Sequence, residues 1–392
     1  MRKIISLLTV LCLVLCLLPA SVSAEETTEI PTVTVYFSMS HDEDFRDGEN
    51  TGEVMALREI TVPYFDLGLY DLQEFYFVSE SYSDDGDGLP GSDLEAGTKE
   101  FAEGKITMFH LFIYATEVYY CGIEPEEAGK GYLADEGLLG SSTMAISGSR
   151  GSIFFEEFWG RDLNFNYYHN YHYPLASAGW GSTADQILLH DGDVVTMGHF
   201  TDWNFFKDPD SIFNYIKAGE DTVRTTAVKG EEVELTIWRA GASEDGDYTT
   251  EHEIVTSNPK VYCTSVNELD TDVSNWQLIG TADSEGKITV DTSDLEPGQY
   301  MIAIPGQYGS SDDMKDEICS TPGGILLDVV EQGDISGNAE VDAKDASMLY
   351  GILNNRYSAS DAQLMAGDMN KDGEITARDA AMLYAYINGK LK

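Results

Sequence analysis

Near the end of this chain one stretch is written twice, and no other feature limits what the chain can fold into so tightly. Gly333 to Tyr350 aligns with Gly367 to Tyr384 at an offset of 34 residues, with nine of eighteen positions identical. Each copy spaces oxygen-bearing side chains along a twelve-residue turn at positions 1, 3, 5, 9 and 12, with an apolar residue at position 8. Hard cations such as Ca2+ take about six to eight oxygen donors, and this spacing brings side chains and the position-7 carbonyl round one point. In the second copy the donors are Asp368, Asn370, Asp372, the carbonyl of Glu374, Thr376 and Asp379, with Gly373 at the sharp turn and Ile375 as the apolar pin. In the first copy they are Asp334, Ser336, Asn338, the carbonyl of Glu340, Asp342 and Asp345, with Val341 as the pin. Ser336 is a poor neutral donor, and Ala339 stands where glycine would relieve strain, so the first of the two sites should be weaker or distorted.

After each loop the run Ala-x-Met-Leu-Tyr is predicted helical, and no entering helix is predicted before either loop. This is half of a helix-loop-helix calcium motif, written twice. With aspartate at position 12, residues 331–392 closely resemble the type I dockerin module of bacterial cellulosomes. The resemblance implies a small all-α module of three helices, folded by calcium, that plugs non-covalently into a cohesin on a scaffoldin. It also implies that loop positions 10 and 11 and the following helix face the cohesin. Here those are Ala343, Lys344 and Tyr350 in the first copy and Ala377, Arg378 and Tyr384 in the second. Two near-identical copies would let either helix engage, and the departures at Ser336 and Ala339 favour one orientation.

The charge balance fits a calcium-binding chain. Among 392 residues, 69 Asp and Glu face 23 Lys and Arg, for a formal net charge of −46. Such a surface repels a phosphate backbone and an anionic membrane leaflet, which excludes nucleic acid as a partner. With 42% apolar and 11% aromatic residues the chain still has the burial capacity for folded domains. Met1, Arg2 and Lys3, an apolar run from Ile4 to Leu18, and Val22 and Ala24 before Glu25 read as a secretory signal, residues 1–24, cleaved after Ala24. No later segment reaches the roughly 20 apolar residues of a membrane span. Of the five cysteines, Cys121, Cys263 and Cys319 follow that signal. Cys263 and Cys319 either pair or stay reduced, and Cys121 reads as a small buried hydrophobe.

Between signal and repeat, two further modules are expected. Residues 30–218 open with alternation at Thr32 to Phe37, and Met108, Leu111, Phe112, Ala115, Val118 and Tyr119 recur at helical spacing within Thr98 to Cys121. Strands and one helix with a single buried stripe predict an α+β arrangement of β-grasp type. Ser83 to Gly88 is dense in oxygen but lacks a closing Glu, and reads as a solvated turn. The strings Phe112 to Glu117, Trp180 to Asp185 and Asp191 to Val195 resemble a secreted bacterial family of unknown function, related to the C-terminal domain of transcobalamin-like carriers. That resemblance implies the fold more than it implies a cobalamin ligand. Residues 222–330 carry short alternating runs at Glu232–Trp238, Trp276–Gly280, Lys287–Val290 and Gln299–Ile304, which predict an immunoglobulin-like β-sandwich.

Catalytic chemistry is hard to place. A glycosidase needs two carboxylates about 5–5.5 Å or 6.5–9.5 Å apart in a cleft; Glu156, Glu157 and Asp162 qualify by residue type alone, and a solvated face explains them better. His169 and His172, with Asp202 downstream, form the one enzyme candidate, against a reading as packing partners in an aromatic sheet. Fourteen aromatics lie between Phe154 and Phe206. Trp159, Tyr168, Tyr171, Trp180 and Trp203 either form a platform for sugar rings or belong to the core, and their exposure decides which. The sequence thus favours a secreted, non-catalytic component of a cellulosome-like, polysaccharide-degrading complex that presents a glycan- or ligand-binding module. A polysaccharide-active hydrolase and a structural adhesin or spacer stand as alternatives.

Overall fold

The computed structural model describes residues 30–41, 55–77, 104–162, 165–171, 183–199, 213–242, 250–256, 258–266, 275–304 and 324–390. The signal segment, the Ser83–Gly88 turn, His172, Trp180, Asp202, Trp203 and Cys319 lie outside the described residues. What is described is multidomain: β-sheets through the N-terminal and central regions, then a helical C-terminal region.

In the first module β1 (Thr32–His41) pairs antiparallel with β2 (Met55–Pro63) and parallel with β7 (Val194–His199), which pairs antiparallel with β6 (Phe165–His169). The sheet order is therefore β2-β1-β7-β6. Val33, Val35, Phe37 and Met39 alternate inward from β1 and meet α1 (Met108–Ala115), where Phe37 and Phe112 lie 5.7 Å apart. Periodicity predicted one buried stripe, but all eight residues of α1 are buried. A second layer explains the difference. β3 (Met144–Ser149), β4 (Ser152–Phe158) and β5 (Arg161–Asp162) form a ribbon whose Phe155 packs edge-on against Phe109 and Phe112. The helix is thus enclosed from both sides.

After Ala115 the helix widens into a π-turn, Thr116–Tyr120. There the fully buried Glu117 accepts hydrogen bonds from Tyr70 Oη (2.9 Å), Gly129 N–H (2.7 Å) and Leu133 N–H (3.2 Å), the last opening the short helix α2 (Tyr132–Asp135). Three donors on one carboxylate let it stay buried without a cation.

The second module is two sheets closed over one core. One contains β8 (Phe213–Lys217), β10 (Glu232–Ala242), β11 (Thr250–Ile254) and β14 (Lys287–Asp291). The other runs β13 (Gln277–Thr281), β12 (Lys260–Ser265), β15 (Gly298–Ala303), β16 (Ile325–Val330), β9 (Arg224–Val228), with β16 and β9 parallel. Leu235, Ile237 and Val290 from the first sheet meet Val261, Ile302 and Leu327 from the second. Strand β8 pairs with β10, so residues 213–217, expected in the first module, lie in the second module's sheet. Cys263 is buried in this core, and burial pushes its thiol up to about 11.

The two modules share a further apolar cluster. Met301, Ala303 and Leu326, on the strand faces opposite Ile302 and Leu327, pack with Trp276 against Leu57 of β2 and Val194 of β7. Both faces of β15 and β16 are therefore buried, which accounts for the unbroken Ile325-Leu326-Leu327 run. Truncating the largest side chain of this cluster, Trp276→Ala, should cost about 3–5 kcal/mol. Scanning calorimetry should show the two modules unfolding together in the parent chain and separately in the variant; separate transitions in both would mean the shared cluster adds no cooperativity.

Candidate functional site

The C-terminal region holds α3 (Ala343–Leu353), α4 (Asp361–Gly367) and α5 (Ala377–Ile387). One expectation is corrected here. α4 runs straight into Asp368 and is an entering helix for the second loop, whereas the first loop follows β16. Its start carries a capping box, Ser360 with Gln363, in a stretch too short to show a helical stripe.

Both loops fold by the same hydrogen bonds. At position 1, Asp334 accepts from the N–H groups of Asn338 (3.1 Å) and Ala339 (2.7 Å); Asp368 accepts from Asp372 (3.2 Å) and Gly373 (2.7 Å). At position 12, Asp345 accepts from Ser336 N–H and Asp342 N–H, both 2.8 Å, and Asp379 from Asn370 N–H (3.2 Å) and Thr376 N–H (2.9 Å). At position 5, Asn338 and Asp372 accept from the N–H of Glu340 (2.9 Å) and Glu374 (3.1 Å). The pins sit inside: Ile335 and Leu349 are buried with Ala366 and Leu383, and Val341 and Ile375 pack on them. Burial acts to raise the Asp379 carboxyl, but hydrogen bonds from Thr376 and Asn370 outweigh it and leave the group below the usual carboxylate range.

Among the described residues no three His, Cys, Asp or Glu side chains converge on one point, since the loop carboxylates hold backbone amides. The chemistry of the donor set still fits a hard cation. Every side-chain donor in both loops is an oxygen, and in the second loop Asn370 has both its Oδ1 and Nδ2 atoms buried without a hydrogen-bond partner. A buried amide oxygen left this way is costly, and a cation at the loop centre would satisfy it. In the first loop the position-3 hydroxyl of Ser336 instead lies 3.5 Å from Asp334 Oδ1. Ala339 adopts the left-handed backbone, φ 63°, where the second copy has Gly373 at φ 83°.

All six docking residues named from the resemblance, Ala343, Lys344, Tyr350, Ala377, Arg378 and Tyr384, are exposed. Tyr350 and Tyr384 occupy matching places on α3 and α5 and are 56% and 62% exposed, more than the other exposed tyrosine of α5, Tyr386, at 42%. The Arg356 guanidinium lies 5.6 Å from the centre of the Tyr350 ring.

The aromatic platform is corrected for its described members. Trp159 is 2% exposed, stacked between Tyr120 and Phe158 at 5.6 and 5.4 Å, and donates Nε1–H to Thr116 Oγ1 at 2.9 Å. Tyr168 is buried against Tyr215 and Tyr171; Tyr171 stacks on Tyr215 at 4.4 Å and donates its hydroxyl to Thr222 O. These rings belong to packing between the sheets, where large aromatic area is most stabilising. The enzyme candidate His169 is buried too, with Nε2 2.7 Å from Asp193 Oδ2, while Asn170 Nδ2 and His190 N–H also donate to Asp193 at 2.8 Å each. Glu156 faces solvent and the Glu157 side chain is half-buried on β4, so the pair forms no cleft. A cleft of about 550 Å3 beside α1 is lined by Asp66, Asp71 and one histidine, His110, both of whose nitrogens are used. Nδ1 accepts from Thr107 N–H and Nε2–H donates to Phe65 O, 3.2 Å each, and burial holds its pKa down to about 4.

Three outcomes follow from this geometry. Ala339→Gly removes left-handed strain and should stabilise the closed first loop by about 1 kcal/mol, roughly a fivefold gain in its calcium affinity by titration calorimetry. Gly373→Ala meets no nearby atom and should weaken the second loop through strain alone. For Asp193, burial acts to raise the carboxyl, but the hydrogen bonds and charge of His169 and the other donors outweigh it and leave the group depressed. An unfolded Asp titrates near about 3.9, so the stabilisation is present above that pH and is lost as pH falls through the lower folded value. Asp193→Asn should therefore melt below the parent chain at pH 7, with the gap closing towards pH 3.

Among the curated proteins none matches this chain. Residues 332–388 match the family model described as the Dockerin type I domain, so this segment is similar to dockerins.

Proposed function

We propose that the chain is a secreted, dockerin-bearing component of a cellulosome-like assembly. It docks on a cohesin through calcium-dependent folding of the 332–388 segment. Dockerin domains bind the cohesin modules of scaffoldins, and the family match at 332–388 carries this reading. Two further observations support it. The loops repeat each other's carboxylate-to-amide bonds, and each is followed by a helix presenting an exposed tyrosine, Tyr350 or Tyr384, next to exposed small and basic residues. Exposed aromatics of this kind, with small neighbours that let a partner approach closely, suit a protein surface. Two Ca2+ ions would be held by Asp334, Ser336, Asn338, Glu340 O, Asp342 and Asp345, and by Asp368, Asn370, Asp372, Glu374 O, Thr376 and Asp379. Bound calcium would supply the cross-link that fixes each loop and the helix after it.

The first module is read as β-grasp-like, which is supported by the order β2-β1-β7-β6 with its central pair parallel and a helix across one face. The second is read as immunoglobulin-like, supported by two sheets over one core with β9 parallel to β16. Together they are the cargo that the dockerin delivers, and a glycan or small ligand remains the partner proposed for the first module. Of the aromatics expected to form a platform, Trp180 and Trp203 lie outside the described residues. Among the described residues no helix is long and apolar enough to cross a membrane.

The test is capture of the full chain by an immobilised type I cohesin in surface plasmon resonance. Binding should appear in calcium and vanish in EGTA. Because the second loop has the better donor set, Tyr384→Ala should weaken binding by at least about tenfold, and Tyr350→Ala much less. Capture that is indifferent to EGTA, or to both tyrosines, would overturn the reading.

A further inference from the structure

The dockerin is fastened to the second module by more than the chain that joins them. α4 packs on β9 and β16. Within the matched segment itself, Gln332 donates Nε2–H to the carbonyls of Met365 (3.3 Å), Ala366 (3.0 Å) and Asp368 (3.1 Å), and Gly333 N–H donates to Ala366 O at 2.8 Å, which ties the end of α4 to the chain leaving β16. On the other side of α4, the Lys371 ammonium of the second loop pairs with the Glu231 carboxylate. Glu231 sits in the turn from β9 to β10 and is fixed there. Its N–H donates to Val228 O (2.9 Å), and its carbonyl accepts from Thr292 N–H (3.1 Å) and Thr292 Oγ1 (2.8 Å).

This fastening breaks the symmetry of the repeat. Position 4 is left-handed in both loops, with Gly337 at φ 68° and Lys371 at φ 58°. Only the second copy has a side chain there, and it spends that side chain on the neighbouring module. The direction of Lys371 depends on the loop being closed, because the amides of Asp372 and Gly373, immediately after it, are held by Asp368. Asp368 is also the residue that ends α4, donating its N–H to Leu364 O at 3.0 Å. Whatever orders the second loop therefore orders α4 and aims Lys371 at Glu231 in the same step.

We infer that calcium capture by the second loop and seating of the dockerin on the β9–β16 face are one coupled equilibrium. Calcium closes the loop, and the closed loop locks the dockerin to the second module. By reciprocity the second module raises the calcium affinity of the second loop and leaves that of the first unchanged. The inference rests on the calcium reading proposed above. Its consequence is that α3 and α5 are offered to a partner at a fixed angle to the rest of the chain, in calcium only.

The experiment uses the full chain and two measurements: calcium titration calorimetry, and hydrogen exchange read by mass spectrometry over residues 224–231 and 361–367. In the parent chain, calcium should raise protection in both segments. Glu231→Lys should abolish the rise over 224–231 and lower the affinity of one site by about two- to fivefold, the scale of an exposed ion pair. Glu231→Gln, which keeps the backbone bonds of the turn, should act in the same direction and more weakly. Combining Glu231→Lys with Lys371→Glu should restore the rise over 224–231, which a merely damaged turn would not do. Normal calcium uptake with unchanged exchange over 224–231 overturns the inference alone. Absence of calcium uptake overturns the calcium reading and the inference with it.

Discussion

The structure at the C-terminal end depends on aspartates gripping backbone amides. Only Ile335, Leu349, Ala366 and Leu383 are fully buried apolar residues in that region, with half-buried neighbours around them. A core this small cannot offset the conformational entropy of ordering three helices and two loops. The missing order comes from Asp334, Asp345, Asp368 and Asp379, each holding two loop amides. Four carboxylates concentrated in two turns repel one another, and a divalent cation is the natural counter-charge. The same groups that shape the turns thus carry the charge that the proposed cation would offset.

The loops were legible in the sequence because their chemistry is coded by position. A donor every second residue, an apolar pin at position 8 and a repeat at a fixed offset do not arise from burial alone. The entering helix α4 was not legible by periodicity, since a seven-residue helix lying on another module has no stripe of its own. The Ser360-x-x-Gln363 capping box was the signal available for it. β9 and β16 were missed for a related reason: they pair in parallel across about a hundred residues of chain, and β16 is buried on both faces, so it lacks the alternation that marks its neighbours.

The aromatic segment shows where residue type misleads. Trp159, Tyr168 and Tyr171 have the composition of a sugar platform, and nothing local distinguishes that from packing. What decides is the partner across space: Tyr120 and Phe158 for Trp159, Tyr215 for Tyr171. Likewise His169 was a candidate metal ligand by its i, i+3 spacing to His172, yet its partner is Asp193, 24 residues on, in the turn that leads into β7. Contacts between residues distant in sequence fix both assignments, and single-sequence patterns do not carry them.

The shared clusters bear on what kind of component this is. A spacer needs modules that move independently, and interfaces of that sort are small and polar. Here Trp276, Met301 and Leu326 of the second module are buried with Leu57 and Val194 of the first, and Tyr168 and Tyr171 close on Tyr215 and Trp238 beside them. Separating the modules would expose a tryptophan, several aliphatic side chains and a run of stacked tyrosines to water, at about 25 cal/mol for each Å2 of apolar surface. The strand β16 that carries part of this interface leads directly into the first acidic loop, and β9 beside it supports α4. One sheet therefore holds the first module on one face, the sandwich core on the other and the C-terminal helical segment at its edge, so an orientation imposed on that segment is transmitted to both modules.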